Sequence, residues 1–471
     1  MSAILRGVGL NLLSRVSVII GGGGALVLLA RTFGPHDFGS WSKAVVWASL
    51  VGTLSEGGVA NTLLHRAARS PEHISSHIGA LLKARLGFGV LAFAAALVLW
   101  LWIEGPMWVG LLVLLGGSRI LDGLGASLSF ALYTVDEFKT PALLEIVRRF
   151  GFLLALLVIS QSGGSLMVPA LVQLSLALLA FIVLLRTVRG RLGIDLRGRL
   201  ALGQRTLWFW LTGLFAWMNA ELDLMMLGIL TTATVTGTYA AAIRLVIMLS
   251  IVSSAVSHAV IARFFRSGAN QGEPEHTDRL LDVTALAVTG LGAVMGVEFI
   301  FDGTNIARLL YGPGYAEAGR ILSLLGIFVI VEFARQAPSW YVAASGGERT
   351  TAVLMGSAAL LNLGGNLILI PRMAGSGAAL ASIMSGTFVL VAMVWAASRR
   401  SSWRVAVATA LGFAPGGALM ALHLLLPSRL PWFVAPLLFG SAVAGVGLIL
   451  ALRPARTRQL YERLHRYVAA T

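Results

Sequence analysis

From Val16 onward, long apolar runs alternate with short clusters of glycine, proline and charged residues. Leu86–Ile103, Thr350–Ile370 and Met373–Ser398 are among the longest of these runs. A helix needs roughly 20 mainly apolar residues to cross about 30 Å of hydrocarbon. The pattern predicts membrane spans at 8–32, 39–65, 78–103, 107–133, 141–160, 165–186, 206–230, 236–263, 280–301, 318–344, 350–370, 375–398, 404–426 and 431–452. The N-terminus has the outline of a signal peptide, with Arg6 before Val16–Leu29. That stretch is too long for an h-region and no small-residue cleavage site follows, so it is read as the first span. The fold class expected is all-α integral membrane, with about fourteen transmembrane helices.

Composition agrees with the pattern. Of 471 residues, 57% are hydrophobic and 12% charged, and the mean hydropathy is +0.83. A soluble domain carries about a quarter charged residues, twice this share. The net charge of +15 does not imply nucleic-acid binding, because the basic residues lie between apolar runs and not along one face. They do set orientation. With the N-terminus inside, 26 of the 36 lysines and arginines fall in the cytoplasmic connections and tails or the span ends beside them, and six on the other side. The remaining four, Arg15, Arg119, Arg244 and Arg335, fall inside spans. Both termini are therefore expected in the cytoplasm. There is no cysteine, which excludes disulfides, thiolate metal sites and cysteine nucleophiles. The eight histidines show no metal-ligand spacing, and no phosphate loop or hydrolase motif is present. Neither a metal nor another cofactor is expected, and no catalytic set.

The chain repeats itself weakly. Phe38-Gly39-Ser40-Trp41 opens the second span and Thr236-Gly237-Thr238-Tyr239 the eighth; Gly105-Pro106 and Gly312-Pro313 precede the fourth and tenth. The organisation expected is a six-helix lobe over residues 1–190, an Arg-rich cytoplasmic connection at 191–205 and a second six-helix lobe at 206–400. Two extra helices at 401–453 and a basic tail at 454–471 follow. Both lobes begin on the same side, so the repeats run parallel.

Ionisable groups in hydrocarbon are costly, and normally face a bundle interior or a wet cavity. Arg119 and Asp122 stand three apart in the fourth span, as do Glu332 and Arg335 in the tenth. Each is expected to form an ion pair on its own helix face, which favours permanent ionisation of the acid. The matched placement points to a polar cleft lined from both lobes. Arg15 lies near the cytoplasmic third of the first span, and Arg244 about two turns into the eighth. Asn219 and Asp223 share a face of the seventh span, with Glu221 pointing elsewhere. Glu56 stands unpaired in the second span beside Gly52, Gly57 and Gly58. Asp223 and Glu56 have no basic residue at i±3 or i±4, which makes them the candidates for carrying a coupling proton or sodium ion, Asp223 and Asn219 first. Gly21–Gly24 in the first span serve either close helix packing or a bend.

Four stretches resemble the polysaccharide biosynthesis flippases of the multidrug/oligosaccharidyl-lipid/polysaccharide exporter superfamily. The first is Leu29-Ala30-Arg31-Thr32-Phe33-Gly34-Pro35-His36-Asp37-Phe38-Gly39-Ser40-Trp41, similar to L-x-R-x-L-G-P-x-x-F-G-x-Y. Gly237-Thr238-Tyr239 with Ala241, Arg244 and Leu245 is similar to G-x-Y-x-x-A-x-x-R-L. Leu310-Tyr311-Gly312-Pro313-Gly314-Tyr315 with Ala318 is similar to L-F-G-x-x-Y-x-x-A. Asn362, Asn366, Leu369-Ile370-Pro371 and Gly375-Ser376-Gly377-Ala378-Ala379 complete the series. Their order and spacing run together from residue 29 to about 380. The resemblance implies two lobes forming a V-shaped central cavity with alternating access, in a bacterial inner membrane. It implies a polyprenyl-diphosphate-linked glycan as cargo, moved to the outer leaflet for lipopolysaccharide or exopolysaccharide synthesis, with glycosyltransferases and a polymerase as partners. It also implies Arg15 and Arg244 as cavity cations, to which Arg119 and Arg335 are added from their place in the spans.

Two other readings compete. A drug or cation exporter of the same superfamily would want an acidic or aromatic cavity, where this one holds four arginines. A membrane glycosyltransferase or polymerase would want a large polar loop with catalytic residues, whereas the longest outer connection, about Asp302 to Glu317, is short.

Overall fold

The computed structural model describes residues 17–56, 74–198, 204–250, 274–344, 348–401 and 404–425. Among these, regular structure is helical throughout. A π-helical turn, Val18–Gly23, leads into α1 (Gly24–Glu56). Then come α2 (Ile74–Ile103), α3 (Val109–Tyr133), α4 (Lys139–Ser162), α5 (Met167–Arg191), α6 (Gln204–Leu230) and α7 (Ala233–Ser250). The chain continues through α8 (Pro274–Tyr311), a 3-10 turn at Pro313–Tyr315, α9 (Ala316–Ala334), α10 (Gln336–Ala344), α11 (Glu348–Ser401), α12 (Arg404–Gly412) and α13 (Ala414–Leu425). Helix occupies the described part of each of the first thirteen predicted spans; 431–452 and the tail lie outside the described residues.

Prolines explain where boundaries differ from the sequence reading. The connections expected near 33–38 and 371–374 are breaks of a single residue, at Gly34 (φ 74°) before Pro35 and at Ala374 (φ 50°) after Pro371. At the first of these the cause is Pro35: a residue before proline is driven out of the α region, and glycine escapes into positive φ at no steric cost. The single span expected at 318–344 divides at Arg335, because the ring of Pro338 collides with the carbonyl four residues back, at Ala334. Pro415 acts likewise on the span 404–426, interrupted at Phe413.

Seven helices among the described residues are long and apolar enough to cross a membrane. Their outer surfaces are apolar as well: Leu91 is 69% exposed and Trp102 83%. Water would not tolerate so continuous an apolar surface, and lipid does. The chain is a multi-pass membrane protein.

The helices group into two compact units. Unit 1 comprises Met1–Arg244, Ala307–Ala318 and Asn362–Ala378; unit 2 comprises Leu245–Ile306, Gly319–Leu361 and Ala379–Thr471. In unit 1, Ile78, Leu128, Ala131, Leu132, Leu184 and Val188 form a core between α2, α3 and α5. The two openings of the internal repeat meet here. A Cβ on Gly39 would strike the carbonyl of Ala233 and one on Gly237 the carbonyl of Pro35, so only glycine lets α1 and α7 cross backbone to backbone. Two tyrosines fasten the 307–318 segment beside them: Tyr311 donates to Ala241 O and Tyr315 to Ala30 O, each at 3.0 Å. In unit 2 the core is built of small residues, with Ala285, Ala337, Ala358, Ala397 and Ala408 packed around Val389 and Met393.

Candidate functional site

One cluster of charged residues in unit 1 lies on α3, α4, α6 and α7. Arg119 is half-buried on α3, and a Cβ added to Gly52 of α1 would lie 3.7 Å from its own Cβ. Among the described residues it makes no ion pair. The charges acting on it come from Asp122 and Glu221 on one side of the balance and Arg149 and Arg244 on the other. Arg244 holds Glu221 through two bonds of 2.9 and 3.2 Å. Arg149 donates to Glu145 at 2.8 Å, and Arg148 reaches Asp122 at 2.6 Å. Four guanidinium groups thus face three carboxylates, and Arg119 is the one left over. A guanidinium cannot lose its proton, so the local charge stays positive.

The glycine run supports this group. A Cβ on Gly21 would fall 3.0 Å from that of Arg149, and one on Gly22 would lie 3.7 Å from its Cδ and Nη1. The run is a packing surface, here in a π-helical turn, as one of the two sequence readings had it. A cavity of about 330 Å³ opens between α3, α4 and α5, with Asp122, Tyr133, Glu145, Arg148 and Phe181 on its wall.

A second polar centre in unit 1 surrounds Asp223 of α6, which is 6% exposed. Its Oδ2 accepts the hydroxyl of Tyr239 at 2.8 Å, and its Oδ1 accepts the Asn366 amide at 3.1 Å. The same amide donates to Asn362 Oδ1 at 2.9 Å. Asn366 Oδ1 is buried with no donor among the described residues. The arrangement offers a carboxylate and a free amide oxygen in a site closed to bulk water. That chemistry suits a small cation or a shared proton.

One expected pairing is corrected by this geometry, and the other candidates find their places. Asp122 pairs with Arg148 and not with Arg119, because α4 brings a guanidinium closer than the i, i+3 neighbour. Glu221, read as pointing away from the face of Asn219 and Asp223, is the partner of Arg244. Glu56, read as an unpaired mid-span acid, is exposed, and its charge acts on Arg85 of α2. Arg85 is itself buried and donates to Ser127 Oγ at 2.8 Å. Asn219, expected on the face of Asp223, donates to Phe215 O at 2.8 Å. The Glu332–Arg335 pair forms as expected, with two bonds of 2.7 and 2.6 Å, within unit 2. Arg15 lies outside the described residues.

A model of the polysaccharide biosynthesis protein family matches residues 4–267, more than half of the chain. The chain belongs to the polysaccharide biosynthesis protein family. None of the curated proteins matches this family member in sequence. Solved structures show its fold. The lipid II flippase MurJ in an inward closed conformation superposes with a TM-score of 0.70 at 14% identity, over 96% of this chain and 99% of that one. An inward-facing multidrug resistance MATE family transporter of the MOP superfamily gives 0.61 at 11% identity, over 84% and 99%. A point mutant of the MATE transporter VcmN of Vibrio cholerae gives 0.56 at 12% identity, over 87% and 96%. The polysaccharide biosynthesis protein therefore has the fold shared by a lipid flippase and by multidrug transporters.

Sequence reasoning missed Arg148, Arg149, Arg85 and Tyr239 as members of these centres. Arg148 and Arg149 sit in α4, where the expected topology made them orientation signals. The Asn362/Asn366 spacing was visible in the motif, but its partner Asp223 lies 143 residues from Asn366.

Proposed function

We propose that this protein is a flippase that carries a polyprenyl-diphosphate-linked oligosaccharide from the cytoplasmic to the outer leaflet. It works by alternating access of two six-helix lobes, with both termini in the cytoplasm of a bacterial inner membrane. The observation that carries this reading is the unpaired Arg119, with Arg149 and Arg244 within electrostatic reach. A diphosphate moved through low dielectric needs fixed cations, and guanidinium groups offer planar, bidentate, permanently charged ones. Arg244 would exchange Glu221 for a phosphate oxygen as cargo enters. The lipid tail remains in the bilayer while the polar glycan crosses through water. Arg15 and Arg335 complete the set of cavity cations in this proposal, and membrane lipid bathes the rest.

No nucleotide motif occurs in the sequence, so uphill movement draws on an ion gradient. The closed centre of Asp223, Asn366 and Asn362 is the coupling site, where entry of a proton or sodium ion discharges the carboxylate and changes its hold on Tyr239. Glu56 is the second candidate. Glycosyltransferases that build the repeat unit and a polymerase that consumes it are the expected neighbours in the pathway.

The rival reading, export of cationic drugs, is separated by binding. Quenching of tryptophan fluorescence should report saturable binding of a polyprenyl-diphosphate glycan, competed by inorganic diphosphate. Saturable binding of a quaternary ammonium dye, with no response to the glycan lipid, would favour the exporter.

A further inference from the structure

Unit 2 holds a group of ionisable side chains that the proposed transport cycle does not use. Glu298 and Asp302 stand four apart on α8, so they share one face. His423 reaches the same place from the last turn of α13. One ligand atom from each of the three lies within 4.8 Å of the other two. The helices are drawn together by small residues. A Cβ on Gly412 would fall 2.6 Å from that of Thr289, and one on Gly416 2.6 Å from that of Ala293. This pairing runs both helices in the same direction at close range, and two turns beyond Gly416 it brings His423 level with Glu298.

The side chains are held rather than loose. The imidazole stacks on Phe301 with centroids 4.9 Å apart and planes within 4°. Its Nε2 lies 3.2 Å from Glu298 Oε1. Asp302 Oδ1 accepts the Asn305 amide at 3.0 Å, which leaves the carboxylate's other oxygen to turn elsewhere. Glu298 is 3% exposed, and its Oε2 has no hydrogen-bond partner among the described residues. A buried carboxylate with one oxygen unmet, beside a second carboxylate and an imidazole, is a place where a bound cation would be stabilised.

We propose that Glu298, Asp302 and His423 form a binding site for a divalent first-row transition cation of the zinc class. An imidazole nitrogen with two carboxylates is the donor set such ions accept. Calcium and magnesium prefer all-oxygen sites, and magnesium a near-ideal octahedron. The Asn305 bond supplies the outer support that orients a carboxylate ligand. The bound ion would fasten α13 to α8 at the ends that the expected topology turns outwards, where it would sample the ion content outside the cytoplasm. No local motif announces the site, since His423 stands 125 residues from Glu298.

The test uses the full chain, purified in detergent and stripped with a chelator. Zinc is titrated by calorimetry, with cobalt as a spectroscopic stand-in and magnesium and calcium as competitors. The other seven histidines are controlled by comparing wild type with His423→Ala and with the nearly isosteric Glu298→Gln. Wild type should bind one more equivalent of zinc than either variant, or bind it at least about tenfold more tightly. Zinc should also raise the unfolding temperature of wild type alone. Equal stoichiometry, affinity and thermal response in wild type and Glu298→Gln would overturn the proposal, and so would displacement of zinc by equimolar magnesium or calcium. Glu298→Gln keeps shape and removes only charge, so it decides the question if His423→Ala fails to fold.

Discussion

Replacing Gly237 by alanine should destabilise the protein, even though alanine favours helix. The built Cβ would strike the carbonyl oxygen of Pro35 and lie 2.9 Å from both Pro35 C and Gly39 N, where ordinary contact begins at 3.4 Å. Both obstacles are backbone, so no rotamer change relieves them. The crossing helices must part by roughly 1 Å, and overpacking of that kind costs about 1–3 kcal/mol. Alanine returns about 1 kcal/mol through helix propensity, leaving a net loss of about 1–2 kcal/mol for a backbone clash at the upper end of that range. Gly39→Ala meets Ala233 and Gly237 in the same way. The double variant should cost less than both singles added, because the first Cβ already separates the helices. Gly364 on α11 is the control, since a Cβ there meets nothing within 4 Å. Thermal unfolding in detergent, followed by tryptophan fluorescence, should place Gly364→Ala at or above wild type and both crossing variants below it. A Gly237→Ala protein as stable as Gly364→Ala would refute the backbone crossing.

Truncating Arg119 to Ala should abolish most diphosphate binding with little change in stability, because it leaves no ion-pair partner behind; Arg335→Ala strands Glu332 and should lower the unfolding temperature as well. Arg244→Ala should remove most transport and Arg244→Lys restore only part, because an ammonium cannot reproduce the two-point hold on a carboxylate or phosphate. Asp223→Asn should keep substrate binding and lose stimulation by an imposed gradient; undiminished stimulation would remove Asp223 from the mechanism and bring Glu56 forward. Burial pushes the Glu137 carboxyl up, but hydrogen bonds from the Thr140 amide and hydroxyl and the Arg191 guanidinium outweigh it and hold it below the ordinary carboxylate value. Its contribution is therefore present above about pH 4.3 and lost as pH falls through the lowered value, so Arg191→Ala should narrow the difference between neutral and acid stability.

Helices and their places were legible because twenty-residue apolar runs leave few alternatives in a bilayer. Breaks inside them were less so: Pro338 and Pro415 lie in runs that hydropathy alone reads as continuous, although a proline four residues beyond a carbonyl is a sufficient physical signal. Gly39 and Gly237 stood out as a repeat, but their mutual contact spans almost two hundred residues and no local pattern encodes it. Charge pairing was the least legible. Helix spacing predicted Glu332–Arg335 correctly, because both partners share one helix face. It failed for Asp122, whose partner Arg148 arrives from another helix, and it offered no partner for Glu221, which Arg244 meets from α7. The same limit hid Tyr239 and Asn366 from Asp223, and His423 from Glu298.

The flippase reading is tested most directly in proteoliposomes. A fluorescent polyprenyl-diphosphate oligosaccharide is placed in both leaflets, and its accessibility to a membrane-impermeant reagent is followed while a proton or sodium gradient is imposed. Wild type should redistribute the lipid faster than empty liposomes, with a rate that responds to one of the two gradients, and Arg119→Ala should fall to the empty-liposome rate. Redistribution at the empty-liposome rate by well-folded wild type, under either gradient, would contradict the account.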